Sequence, residues 1–376
     1  MTRAMNFNAG PAALPLTALE RAKEELLDFE GSGMSIMEHS HRGKVYEKVH
    51  GEATALVADL LEISLDQWDV LFVQGGASQA FAQLPMNFLE PGKTADFIVN
   101  GAWGEKAIAE AKNVAKMIGG EVSVAASTAE GDAKPKRYVR VARQDELKLT
   151  SGAAFVHCTS NETIHGIEYA LGPEAPFPKT DAPLFCDMSS DILGRRVDPS
   201  TFDLIYAGAQ KNIGPSGVTI VCLKKELTAR GRKDIPTIFQ YRTHADNQSL
   251  YNTPPTFGIY LVRNTLQWLK AGGGVVAKEQ RNRAKAKLVY DAIDASGGFY
   301  RCPVVPACRS LMNIVWRLPT EELEEKFVKE ATAQKMIGLK GHRSVGGIRA
   351  STYNAVEHAW CEALASFMKD FAQRNG

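Results

Sequence analysis

Lys211 stands in YAGAQKNIGPSG, residues 206–217, a glycine-rich bend between two β-rich runs, FDLIY and VTIVCL. An amine with so little bulk around it can reach a carbonyl and bond to it. Once released, it can accept or return a proton, provided burial keeps it neutral. Further residues could serve the same chemistry. Asp187, in PLFCDMSS, is a carboxylate able to hold a proton on a ring nitrogen, and Trp103 offers a flat face. Thr163, in TSNETIHG, adds a hydroxyl. Gly76, Ala77 and Ser78, in QGGAS, offer backbone N–H groups to a phosphate at a helix start, and Gln210 adjoins the lysine. Each alone has an ordinary reading as a tight turn, a core tryptophan, a helix cap or a surface charge.

What joins them is the elements that must carry them. DVLFV, ADFIV, AAFVHC, PLFCDM and FDLIY are short apolar runs separated by glycine-containing loops and helical patterns such as EKAIAEAKNVAKMI, which predicts parallel strands with crossover helices. The residues above follow or end those strands, where open parallel sheets bind ligands. The expected fold is α/β: residues 16–265 form a large domain with a mostly parallel sheet, and residues 266–376 a smaller α+β domain. Residues 1–15 pack on the smaller domain. Residues 121–146 have weak periodicity, and their basic run KPKR reads as a solvated loop.

Composition narrows the function. A chain of 376 residues with Lys+Arg 44 against Asp+Glu 43 has no excess field for nucleic acid. No signal peptide opens the sequence and no apolar run approaches membrane-spanning length, so a cytoplasmic location is expected. The six cysteines contain no C-x-x-C pair, and a structural metal is not expected.

One cofactor needs a lysine, a ring-facing acid, a stacking surface and phosphate donors together: pyridoxal 5'-phosphate. With that in view, GAQKNIGPSGVTIV, SIMEHSHRGK, SNETIHG, DMSS, YNTPPTFGIY and KGHRSVGGIRAS resemble the phosphoserine aminotransferases, class-V pyridoxal-phosphate enzymes of fold type I. The similarity runs nearly end to end and is weakest at 121–150. It implies a ping-pong exchange in serine biosynthesis, in which L-glutamate gives its amino group and 3-phosphohydroxypyruvate receives it to become O-phospho-L-serine. Lys211 would form the internal aldimine and carry the proton, Asp187 would pair with the pyridinium, and Trp103 would stack. Thr163 would lie near the phenolic oxygen, and Gly76, Ala77, Ser78 and Gln210 would hold the phosphate.

The resemblance further implies a homodimer in which Asn252 and Thr253 reach the neighbouring subunit's cofactor phosphate. Arg349 would bind the α-carboxylate, since a guanidinium forks onto it. His41, Arg42, His342 and Arg343 would take the distal phosphate or the glutamate side chain. Some bacterial relatives carry an arginine where this chain has Ser78, which leaves the distal site to those four residues. An alanine–glyoxylate aminotransferase or a cysteine desulfurase would share the lysine and aspartate. Cys302 and Cys308 lack an evident catalytic context, and small uncharged substrates would not explain the clustered His and Arg. A phosphate-binding protein and a nicotinamide oxidoreductase lie further off, the latter for want of a G-x-G-x-x-G start.

Overall fold

The structure is a computed structural model that describes residues 3–131 and 136–376. Its strands are β1 (Met5–Asn6), β2 (Trp68–Gly75), β3 (Thr94–Val99), β4 (Glu121–Ser127), β5 (Phe155–Thr159), β6 (Asn161–Glu162), β7 (Ile167–Glu168), β8 (Leu184–Asp187), β9 (Leu204–Gly208), β10 (Gly217–Lys224), β11 (Asn313–Trp316), β12 (Met336–Ile337) and β13 (Ile348–Ser351). Its helices are α1 (Leu16–Glu24), α2 (Lys44–Leu60), α3 (Ala77–Phe88), α4 (Ala102–Ile118), α5 (Lys225–Arg230), α6 (Tyr241–Asp246), α7 (Thr256–Ala271), α8 (Gly274–Asp294), α9 (Glu321–Ala333) and α10 (His358–Asn375).

A seven-stranded sheet in the order β2-β10-β9-β8-β5-β3-β4 forms the centre. Only β10 runs antiparallel to its neighbours. Every residue of β5 and β9 is buried, which explains why these strands read as mostly apolar runs: helices cover both faces. At the edge, β4 occupies Glu121–Ser127, the start of the stretch whose periodicity is weak. An edge strand needs no continuous apolar run, since much of its side-chain surface faces water. Within KPKR, Lys134 and Pro135 lie outside the described residues. Lys136 and Arg137 form ion pairs with Glu105 and Glu130.

One core cluster fills the sheet's two sides and extends into α7 through Leu269. A second joins Phe7 and Ala13 to α8–α10 and the β11-β13 pair. α9 shows why these segments fold locally: Thr320 caps it by accepting the Leu323 N–H, and Glu321, Glu322 and Glu324 load its first turn with charge that favours the helix dipole.

Candidate active site

The carboxyl ends of β5, β8 and β9 and the β3-α4 and β2-α3 connections converge on one cavity of about 270 Å³. Gly76, Ala77, Ser78, Trp103, Thr163, Asp187, Gln210, Lys211, His342 and Arg349 all line it. The sheet's crossovers bring these together from across the chain.

Lys211 is 8% exposed, and its Nζ donates to Thr163 Oγ1 at 2.8 Å. The same ammonium lies 5.4 Å from the centre of the Trp103 ring. Burial lowers its pKa to about 8, opposed by the Asp187 carboxylate and reinforced by the Arg349 guanidinium. The amine is therefore poised to change charge near neutral pH, as acid–base work requires.

Asp187 ends β8. Its Oδ1 accepts the Ser189 N–H at 2.9 Å and the Ser189 hydroxyl at 2.5 Å. Ser189 Oγ in turn accepts the Gly208 N–H at 3.0 Å, tying the ends of β8 and β9 together. Burial raises the Asp187 carboxyl, while the two Ser189 donors and Lys211 favour its anion. Oδ2 takes no hydrogen bond among the described residues, which leaves it for a donor in the cavity.

Arg349 projects from β13, and its Nη1 donates to the Thr163 carbonyl at 3.4 Å. Among the described residues its Nε is buried without a partner, as is Trp103 Nε1. Burial lowers the Arg349 pKa from its ordinary value. A second cavity of about 720 Å³ shares Arg349 and His342 with the first and carries Lys136, Arg137, Arg301 and Arg317 on its wall. A flat-walled space with a buried amine, an acid with a free oxygen and two unpaired buried N–H groups fits pyridoxal phosphate and an anionic substrate.

Five sequence-derived candidates lie elsewhere. His41, Arg42, Asn252, Thr253 and Arg343 are absent from the cavity wall. Arg343 is exposed one residue beyond His342. Arg42 is exposed and its Nη2 donates weakly to the Tyr251 carbonyl at 3.5 Å, so SHRGK and YNTPPT stand side by side. Thr253 offers its carbonyl to Gln74 Nε2 at 2.9 Å.

Gly10, Ser189 and Glu162 stand at or beside the site and were not singled out from the sequence. Gly10 has φ +140°, and a Cβ there would stand 3.5 Å from Lys211 Cγ. Its only signal was the glycine–proline step in NAGPAALP. Ser189 was visible in DMSS as an Asx-turn partner two residues after the aspartate. Glu162, inside the quoted SNETIHG, is 1% exposed; its Oε2 accepts the Trp103 N–H at 2.9 Å and its Oε1 the Gly104 N–H at 2.8 Å. Burial pushes its carboxyl up to about 7, against the pull of those two N–H groups.

Comparison with known proteins gives this geometry a class. The class-V aminotransferase family matches residues 4–364. The phosphoserine aminotransferase of Niallia circulans is 52% identical over 375 residues, covering 100% of this chain and 99% of its own. That of Bacillus subtilis is 51% identical over 375 residues, with 100% of both chains covered. The solved phosphoserine aminotransferase of Bacillus circulans subsp. alkalophilus superposes with a TM-score of 0.93 at 51% identity, covering 100% of this chain and 99% of that one. The pyridoxal-phosphate-bound enzyme from Trichomonas vaginalis gives 0.90 at 39% identity, with 98% and 100% covered. The chain belongs to the phosphoserine aminotransferases, pyridoxal-phosphate-dependent transaminases of class V.

Proposed function

We propose that the Lys211 cavity moves an amino group reversibly between L-glutamate and 3-phosphohydroxypyruvate, giving O-phospho-L-serine and 2-oxoglutarate for serine biosynthesis. The observation that carries this reading is the buried Lys211 amine, hydrogen-bonded to Thr163 and poised near pH 8 between Asp187 and Trp103.

Pyridoxal phosphate, when bound, supplies an aldehyde for amine exchange and an electron sink for the bond broken at the substrate α-carbon. Lys211 would hold it covalently at rest. Asp187 would accept the ring N–H through Oδ2, Trp103 would cover the ring face, and Thr163 would sit by the phenolic oxygen. The N–H groups at the start of α3, from Ala77 and Ser78, would hold the phosphate with the Gln210 amide. In its neutral form Lys211 would take the proton from the substrate α-carbon and pass it to the cofactor carbon that has received the amino group. Arg349 orients both substrates by their shared α-carboxylate.

His41, Arg42, Asn252 and Thr253 serve a second copy of the chain in this reading, giving a homodimer with composite sites. Their place off the Lys211 cavity supports it. So does the exposure of Met37 at 50% and Tyr251 at 40%, apolar surface in the same two segments that a partner would cover. His342, with Arg343 beside it, completes the distal-anion site. In this reading the large domain is residues 16–265 and the smaller one 266–376, the first core cluster running on past that boundary through Leu266, Leu269 and Val275. The location is cytoplasmic in this reading. Among the described residues, no helix is long and apolar enough to cross a membrane, and no group of three side chains is arranged to hold a metal. Burial raises the thiol pKa values of Cys302 and Cys308, which disfavours the thiolate a desulfurase needs.

The test is a glutamate-driven assay that compares 3-phosphohydroxypyruvate with hydroxypyruvate. Strong preference for the phosphorylated acceptor is expected, and equal use of both would remove the distal-anion assignment.

A further inference from the structure

We propose that Glu162 is a positioning residue for the transamination, one that sets the place of the Trp103 ring by capping α4 from a different element. This rests on the reading of Trp103 as the stacking surface. The first-turn N–H groups of a helix lack intrahelical acceptors, and the α4 N-cap position is Gly101, which has no side chain to supply one. Glu162, on β6, fills the gap from about sixty residues away in the chain, one carboxylate oxygen on the Trp103 N–H and the other on the Gly104 N–H.

The packing shows why no local cap exists. A Cβ at Gly101 would fall 2.4 Å from Glu162 Cδ, so the carboxylate occupies the volume that a capping side chain at 101 would need. The next residue, Thr163, holds Lys211 Nζ. Two adjacent positions of one hairpin thus fix the stacking surface and the amine relative to each other, and their carrier is the short β6-β7 pair.

The geometry yields a reciprocal test. Glu162→Ala uncaps α4 and vacates the space beside Gly101. Gly101→Asp in the same chain then introduces a side chain suited to accept from the N–H groups two and three residues on, the same two that Glu162 served. For holo Glu162→Ala we expect kcat/KM for glutamate and for O-phospho-L-serine to fall together, about 10- to 100-fold. In the apoprotein, deuterium exchange of amides 102–106 should quicken about tenfold. The double variant should recover most of both losses. Unchanged exchange in Glu162→Ala overturns the proposal. So does a double variant whose exchange recovers while its activity does not, since the charge beside Lys211 would then matter and the placement of Trp103 would not. Should Glu162→Ala fail to fold, Glu162→Gln keeps the size and leaves one N–H without an acceptor; unchanged exchange there also overturns it. Full activity in Trp103→Ala would defeat the stacking reading alone and leave the exchange result standing.

Discussion

Lys211 Nζ and Thr163 Oγ1 lie 2.8 Å apart although 48 positions separate them in the chain. One follows β9 and the other follows β6, so only the strand order β9-β8-β5 brings the amine to its acceptor. Burial at that meeting point lowers the amine's pKa to about 8.

The first prediction concerns that amine. Lys211→Ala should fold and lose more than the roughly 100- to 10,000-fold typical of removing one acid–base group. In the wild-type apoprotein, covalent capture of pyridoxal phosphate needs the neutral amine, so its rate should rise with pH and level off above about 8. Asp187 raises that pKa, so in Asp187→Asn the rise should move to lower pH; stopped-flow absorbance at a series of pH values checks the direction. Stability carries the opposite sign from a gained ion pair. The folded-state pKa lies below the ordinary 10.5, so wild-type apoprotein gains on Lys211→Ala as pH climbs from about 8 towards 10.5.

Arg349→Lys keeps the charge and loses the fork. Each half-reaction should lose about 10- to 100-fold in kcat/KM, because both substrates present an α-carboxylate. Single-turnover measurements with glutamate and with O-phospho-L-serine decide this, and a loss confined to the second would move Arg349 to the distal site.

Arg42→Ala should weaken O-phospho-L-serine strongly and leave any slow reaction of alanine nearly unchanged. Because Arg42 neighbours Tyr251 and not the Lys211 cavity, it should complement in trans. Mixed dimers of Lys211→Ala with Asn252→Ala/Thr253→Ala, or with Arg42→Ala, contain one intact composite site. Random reassociation should therefore restore about a quarter of all sites. No recovery after verified exchange would exclude the shared site.

A stability prediction follows from the buried ion cluster beneath the site. Arg195 Nε donates to Glu168 at 2.7 Å, and its Nη2 lies 3.3 Å from Asp191 and 2.8 Å from the Tyr169 carbonyl. Arg195→Met would strand two buried carboxylates at a cost of about 3–5 kcal/mol. Burial already raises the Asp191 carboxyl to about 7, with Arg195 opposing it. Without the arginine, the Asp191 carboxyl should rise further above its unfolded value, so the variant should lose less at pH 6 than at pH 8. Urea unfolding at the two values tests this.

The sheet was legible because its strands are buried on both faces: FDLIY and AAFVHC carry a mostly apolar, β-rich signal that survives without context. The residues at their ends were legible because open parallel sheets bind ligands beyond the carboxyl ends of their strands and because Lys211, Asp187 and Trp103 are chemically matched. Edge strand β4 was not, since an edge can be half polar and still pair.

What the sequence by itself determined was the inventory: the lysine, the acid, the ring, the glycine loop and the arginine fork, together with local elements whose periods and caps are short-range. What only the tertiary structure decided was adjacency. Whether Glu162 meets water or α4, whether Gly10 lies under solvent or against Lys211, and whether Arg42 faces this chain's cavity or away from it all depend on crossovers spanning tens to hundreds of residues. Burial, and with it every displaced pKa in the site, is a property of that packing. Composition and period report which groups a chain owns; desolvation depends on what is folded against them.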